Sequence, residues 1–138
     1  MKKYQDLATL LLRFALAAGF LSAAGSRLGV WGKGWGNFLG YTGEVNSFAP
    51  ACLIPALAIT ATMLETGLAI LLLIGFKTRW AALGTAMLTL LFALAMAYSF
   101  GIKEPLDYSV FADCTAAFLL ATMPHYRWSI DEIVIQNK

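Results

Sequence analysis

The stretch "PACLIPALAITATMLETGLAILLLIGF", Pro50 to Phe76, decides the fold. A bilayer's hydrocarbon core takes roughly 20 apolar residues of helix. This run exceeds that length with one charged side chain, Glu65, near its middle. Working outward, apolar segments also cover about 6–26, 78–100 and 108–123. The last is the shortest, and it spans only if the flanking "PHYRW" (Pro124–Trp128) sits in the interface, where aromatic and basic residues are common. The composition agrees: 59% of the 138 residues are hydrophobic and 13% charged, with a mean hydropathy of +0.70. A soluble domain carries about a quarter charged residues to cover its surface. Lipid is therefore the expected solvent. The expected fold is a single all-α domain over 1–138, an integral membrane four-helix bundle running up and down.

The same numbers exclude other classes. A net charge of +2, with scattered basic residues, offers no stripe to track phosphates, so no nucleic acid is expected as a partner. Cys52 and Cys114 match no zinc or haem spacing. His125 is the only histidine, which argues against a metal centre within this chain alone. Nucleotide-loop, nucleophile-elbow and paired-histidine motifs are absent. The N-terminal "MKK", apolar stretch and "SAAG" have the outline of a signal peptide, but Arg13 interrupts the apolar region and argues against cleavage.

The connectors carry further expectations. "KTR" makes a tight turn between the second and third segments, and Pro105 marks a turn in "GIKEPLD". The long connector after the first segment is rich in glycine and aromatics, with Trp31, Trp35, Phe38, Tyr41 and Phe48. It reads as an interfacial loop that covers the bundle, with a substrate lid as the sharper alternative. Ser129 and Glu132 form a capping-box pattern, and a short interfacial helix is expected over about 129–136. Six Lys and Arg residues (Lys2, Lys3, Lys77, Arg79, Arg127, Lys138) fall on the side of the termini and three (Arg27, Lys33, Lys103) on the other. That asymmetry places both termini in the cytoplasm.

Glu65 requires an explanation, because intramembrane charges usually face the bundle interior and pair. Counting about 1.5 Å of rise per residue puts Arg13 within about 6 Å of its depth. An Arg13–Glu65 pair is the simplest expectation, serving either as a register device or as a site that binds or protonates something in the membrane. Asp113 enters from the opposite side. Small-residue ladders, such as Ala81, Thr85, Thr89, Ala93 and Ala97, permit close helix approach. They direct Arg13, Glu65 and Asp113, with Thr62, Thr85 and Thr89, toward one small interior cavity. Cys52 and Cys114 lie at the edge of disulfide reach, so a redox thiol pair stands beside the plainer reading of buried apolar cysteines.

"LLLRFALAAGFL" (10–21), "LETGLAILLLIGFKTRWAAL" (64–83) and the closing "RWSID" (127–131) carry a likeness over nearly the whole chain. On these residues the chain resembles the DoxX family of small four-helix membrane proteins. Two departures stand out: Thr66-Gly67 where family members often carry paired glycines, and the long aromatic connector. The resemblance implies a subunit of a quinol oxidase or a thiosulfate:quinone oxidoreductase type of complex, or a partner in membrane thiol-stress or assembly complexes. By motif position it makes Arg13 and Glu65 the family's intramembrane polar pair and Thr78-Arg79 its cytoplasmic turn.

Two functions are expected from these readings. One is a subunit of a membrane redox complex acting on or near a quinone, in a bacterial-type inner membrane. Arg13 would anchor a quinone carbonyl or balance Glu65, Glu65 would exchange a proton, and Thr62, Thr85, Thr89 and Asp113 would line the pocket. No cofactor is expected within the chain beyond such a quinone, and the partners are lipid, a redox subunit or further copies of the chain. The alternative is a scaffold or assembly factor in which Arg13 and Glu65 form a structural ion pair. A transporter is disfavoured, since neither internal repeats nor matching Gly/Pro-broken segments appear.

Overall fold

In the computed structural model, which describes residues 1–137, the chain is all-helical, with seven α-helices among the described residues. They are α1 (Lys2–Arg27), α2 (Gly34–Val45), α3 (Ile54–Ile74), α4 (Thr78–Phe100), α5 (Lys103–Asp107), α6 (Val110–Ala121) and α7 (Ile130–Gln136). A single 3-10 turn, Ala51–Leu53, leads into α3. α1, the 3-10 turn with α3, and α4 are long and apolar enough to cross a membrane. Their surface agrees: Leu11 and Phe14 on α1, Met63 and Ile70 on α3, and Trp80 and Met87 on α4 all stand exposed. Apolar surface on that scale needs lipid around it. The chain is a membrane protein.

The expected count of four helices, with a loop after the first, needs correction in two places. The glycine-rich connector contains a full helix, α2. Its four glycines (34, 36, 40 and 43) give it poor intrinsic propensity. Tertiary contacts hold it instead: Tyr41 stacks on Phe100 at 6.2 Å, Phe48 meets Tyr98 edge-on at 5.4 Å, and the Ser99 hydroxyl donates to the Val45 carbonyl. The expected segment 108–123 is helical only over 110–121, and the connector before it contains the short helix α5. Ser109 adopts φ 56°, a left-handed conformation that separates α5 from α6. The 12 residues of α6 extend only about 18 Å, short of a bilayer core. At its other end the Tyr126 hydroxyl donates to the Leu120 and Ala121 carbonyls, at 3.0 and 3.2 Å.

The core is made of small side chains. Ala17 of α1, Ala69 of α3, Ala82 and Ala93 of α4 and Ala117 of α6 are fully buried, with Leu72 and Leu120 filling between them. Alanine lets the backbones approach closely where no hydrophobic gain separates protein from lipid. α3 ends and α4 starts at the Gly75–Lys77 turn, and at the far end α2 packs against both.

The turn itself is secured by α7. Gly75, at φ 70°, ends α3; its amide and that of Phe76 both return to the Leu71 carbonyl. A side chain at Gly75 would meet Ser129 Cβ at 2.3 Å, so glycine is required by space as well as by φ. The Asp131 amide donates to the Gly75 carbonyl at 2.9 Å. The Asp131 carboxylate accepts from the Lys77 and Thr78 amides, each at 2.7 Å, and so caps α4 across the chain. Asp131→Ala is expected to cost about 1–2 kcal/mol, the worth of a strong N-cap together with its favourable position at the helix dipole. Equilibrium unfolding in detergent checks it, and an unchanged midpoint would refute the capping role.

Candidate functional site

The two buried charges expected to pair do not meet. Arg13, 1% exposed, points to the near end of the bundle, where the termini lie. Its Nε donates to the Leu72 carbonyl at 3.0 Å and Nη2 to Leu73 at 3.1 Å. Nη1 reaches the carbonyls of Arg127 and Trp128, at 3.3 and 3.4 Å. Leu72 lies seven residues, about 10 Å, along α3 from Glu65. Arg13 is therefore a side-chain cap for the last carbonyls of α3, which have no partner within the helix.

Glu65, 3% exposed, pairs instead with Arg27. Arg27 Nη1 also donates to Thr62 Oγ1 at 3.0 Å, and Thr62 in turn donates to the Ala58 carbonyl at 2.9 Å. The Phe38 ring of α2 covers the guanidinium, 3.8 Å from its centre, a cation–π contact. The reason for the exchange of partners is directional. Side chains on a helix lean toward its N-terminus. Arg13 therefore leans to the near end and away from Glu65. Antiparallel α3 leans Glu65 to the far end, while Arg27, at the end of α1, leans back into the bundle to meet it. Spacing alone suggested Arg13; helix polarity, once α1 and α3 pack antiparallel, selects Arg27.

Beside Arg27 a cleft of about 420 Å³ opens between α2, α3 and α4. α2 contributes Phe38, Tyr41 and Thr42, α3 contributes Ala61 and Leu64, and α4 contributes Leu91, Phe92 and Ala95. Arg27 is the charged side chain in this lining. Leu64 and Leu91, at 48% and 55% exposed, leave the cleft open sideways toward lipid. Its volume falls in the range of small-molecule sites, about 300–1,000 Å³, and its walls are largely apolar as such sites usually are.

The other expected site residues lie elsewhere. Thr85 and Thr89 are buried, but their hydroxyls donate back to carbonyls of α4, Thr85 to Ala81 at 2.9 Å and Thr89 to Thr85 at 2.7 Å. They pack the bundle and do not line the cleft beside Arg27. Asp113 is exposed on α6, and so does not enter the cavity foreseen for it. Cys52, exposed on the 3-10 turn, and Cys114, whose thiol donates to the Ala86 carbonyl at 3.2 Å, are separate free thiols. Arg27 and Thr42 were absent from the expected site, and the α2 residues Phe38 and Tyr41 were foreseen only in a covering loop or lid. Glycine content hid their helix, and Arg27 counted only as a loop charge.

Neither a curated protein nor a solved structure matches this chain. The DoxX family model matches residues 8–98, from the first turns of α1 to the last turn of α4. That interval contains Arg13, Arg27, Glu65 and the Gly75–Thr78 turn, while "RWSID" lies beyond it. The match takes in most of the chain: this protein belongs to the DoxX family.

Proposed function

We propose that the chain is a quinone-binding subunit of a membrane redox complex, in an inner membrane with both termini cytoplasmic, and that the ligand occupies the cleft between α2, α3 and α4. The observation that carries this reading is the single guanidinium of Arg27 at the polar end of an apolar cleft open to lipid. A ligand with a carbonyl head and an apolar tail matches that lining. A bound quinone supplies a two-electron, two-proton acceptor, and the electrons come from a partner subunit that carries a redox centre.

Arg27 donates to a carbonyl at the cleft's polar end. Thr62 and Glu65 hold the guanidinium from behind, and Phe38 fixes its plane. Glu65 Oε2 accepts from Arg27 and balances its charge, which leaves Oε1 as the oxygen that takes up a proton. The anchoring role expected of Arg13 passes to Arg27, because carbonyl acceptors already occupy the Arg13 guanidinium.

A photoreactive quinone added to the purified protein in nanodiscs tests the reading. Labelling is expected on α2, α3 and α4 around Phe38, Leu64 and Leu91, and Ala95→Leu, which fills the cleft, should weaken it at least about tenfold, as loss of a fitted apolar contact does. Labelling elsewhere, or labelling indifferent to Ala95→Leu, would overturn it.

The scaffold reading draws on one specific observation: every hydrogen bond of Arg13 goes to backbone carbonyls, so that buried charge serves the fold. Under it, Ala95→Leu leaves assembly with partner proteins intact and quinone fails to label.

A further inference from the structure

At the near end, the first turns of α1 and α4, the segment after α6 and the helix α7 surround a second, wider cleft of about 1060 Å³. Its charges are not balanced. Each acidic side chain in its wall is already engaged. Asp6 pairs with Arg127 at 3.3 Å. Glu132 accepts from the Trp128 amide at 2.9 Å and lies 3.9 Å from Arg127. Asp131 is held by the α4 amides. Lys2, Lys77 and Arg79 also line the cleft, and among the described residues none of them has a carboxylate within salt-bridge reach. Arg79 lies beside the Tyr126 phenol, which burial pushes up from its usual range while Arg79 opposes that shift.

The apolar parts of the same wall face outward. Trp80, 72% exposed, follows Arg79 directly on α4, and Ile135, 74% exposed, projects from α7. Ile133 and Val134 of α7 are exposed beside it. A short helix with such a face, next to basic residues at the end of the spanning helices, lies in the headgroup layer. Cations without a carboxylate partner at that depth, flanked by tryptophan and isoleucine, match a ligand with an anionic head and acyl chains.

We infer that the near-end cleft binds the headgroup of an anionic phospholipid, with Lys2, Lys77 and Arg79 on its phosphate and Trp80 and Ile135 against its acyl chains. The inference is independent of the quinone reading, since the two clefts share no residue.

Native mass spectrometry of the full chain, released from nanodiscs of mixed phosphatidylcholine and phosphatidylglycerol, tests it. Phosphatidylglycerol should be retained over phosphatidylcholine. Lys77→Gln with Arg79→Gln should lower that retention about 25-fold, about fivefold per cation removed, the size of one basic side chain's attraction to an anionic membrane surface. A circular-dichroism melt establishes that the variant is folded. If it is not, Lys2→Gln alone should give the fivefold loss. Equal retention of the two lipids, or unchanged retention by the folded variant, would overturn the inference. So would displacement of phosphatidylglycerol by millimolar inorganic phosphate, which would reduce the cleft to a site for free anions.

Discussion

Arg13→Met is expected to destabilise the protein by about 3 kcal/mol or more, from the loss of at least two hydrogen bonds made by a charged donor at about 1.5–3 kcal/mol each. The physical reason lies in the end of α3. Leu71's carbonyl is satisfied by the Gly75 and Phe76 amides, while Arg13 takes those of Leu72 and Leu73. Without it these carbonyls face an apolar bundle, where no water can replace the donor. The same side chain holds the segment before α7 through Arg127 and Trp128, so the Asp131 cap on α4 should loosen with it. Arg13→Lys is expected to recover little, because an ammonium lacks the planar fork that reaches several carbonyls at once. Unfolding in mixed micelles measures the cost. Adding Glu65→Met distinguishes a cap from an ion pair: the two costs should add, as they do for separated sites. Relief of the Arg13→Met defect by the second change would restore the direct pair.

Arg27→Met should be comparably damaging, for a different reason. It leaves Glu65 buried with no counter-charge, and breaking a buried pair from one side costs about 3–5 kcal/mol. Changing both residues to methionine should recover most of that loss, since apolar packing often replaces a buried pair without penalty. A double-mutant cycle on Arg27 and Glu65 is therefore expected to show strong coupling, and additivity there would remove the pair from the structure's energetics. Arg27 also lies under Phe38 of α2, so hydrogen exchange in α2 should rise in Arg27→Met. That protection should stay low in the double methionine variant even as global stability returns, because the cation–π contact is still missing.

The turn residues that carried the family likeness now have a physical role. Arg13, Gly75, Thr78, Ser129 and Asp131 converge where α3 ends and α4 begins. Gly75 provides the left-handed turn and the room for Ser129, Arg13 takes the free carbonyls of α3, and Asp131 takes the free amides of α4. The likeness in this region thus reports how the helices are joined, and the ligand site we propose lies apart from it, in the cleft beside Arg27.

The sequence by itself determined the membrane class, the three long helices and the need for partners at Arg13 and Glu65. Apolar length and the cost of charge in lipid are local properties that a linear chain displays. Tertiary structure alone decided the rest. α2 forms despite its glycines because Phe100, Tyr98 and Ser99 of α4 hold it. α6 is short because Ser109 turns left-handed where α5 folds back on α4. Glu65 takes Arg27 and not Arg13 because antiparallel helices lean their side chains in opposite directions. The cleft exists because α2 packs against both α3 and α4 and the three enclose it together, a relation between elements that the order of residues does not express.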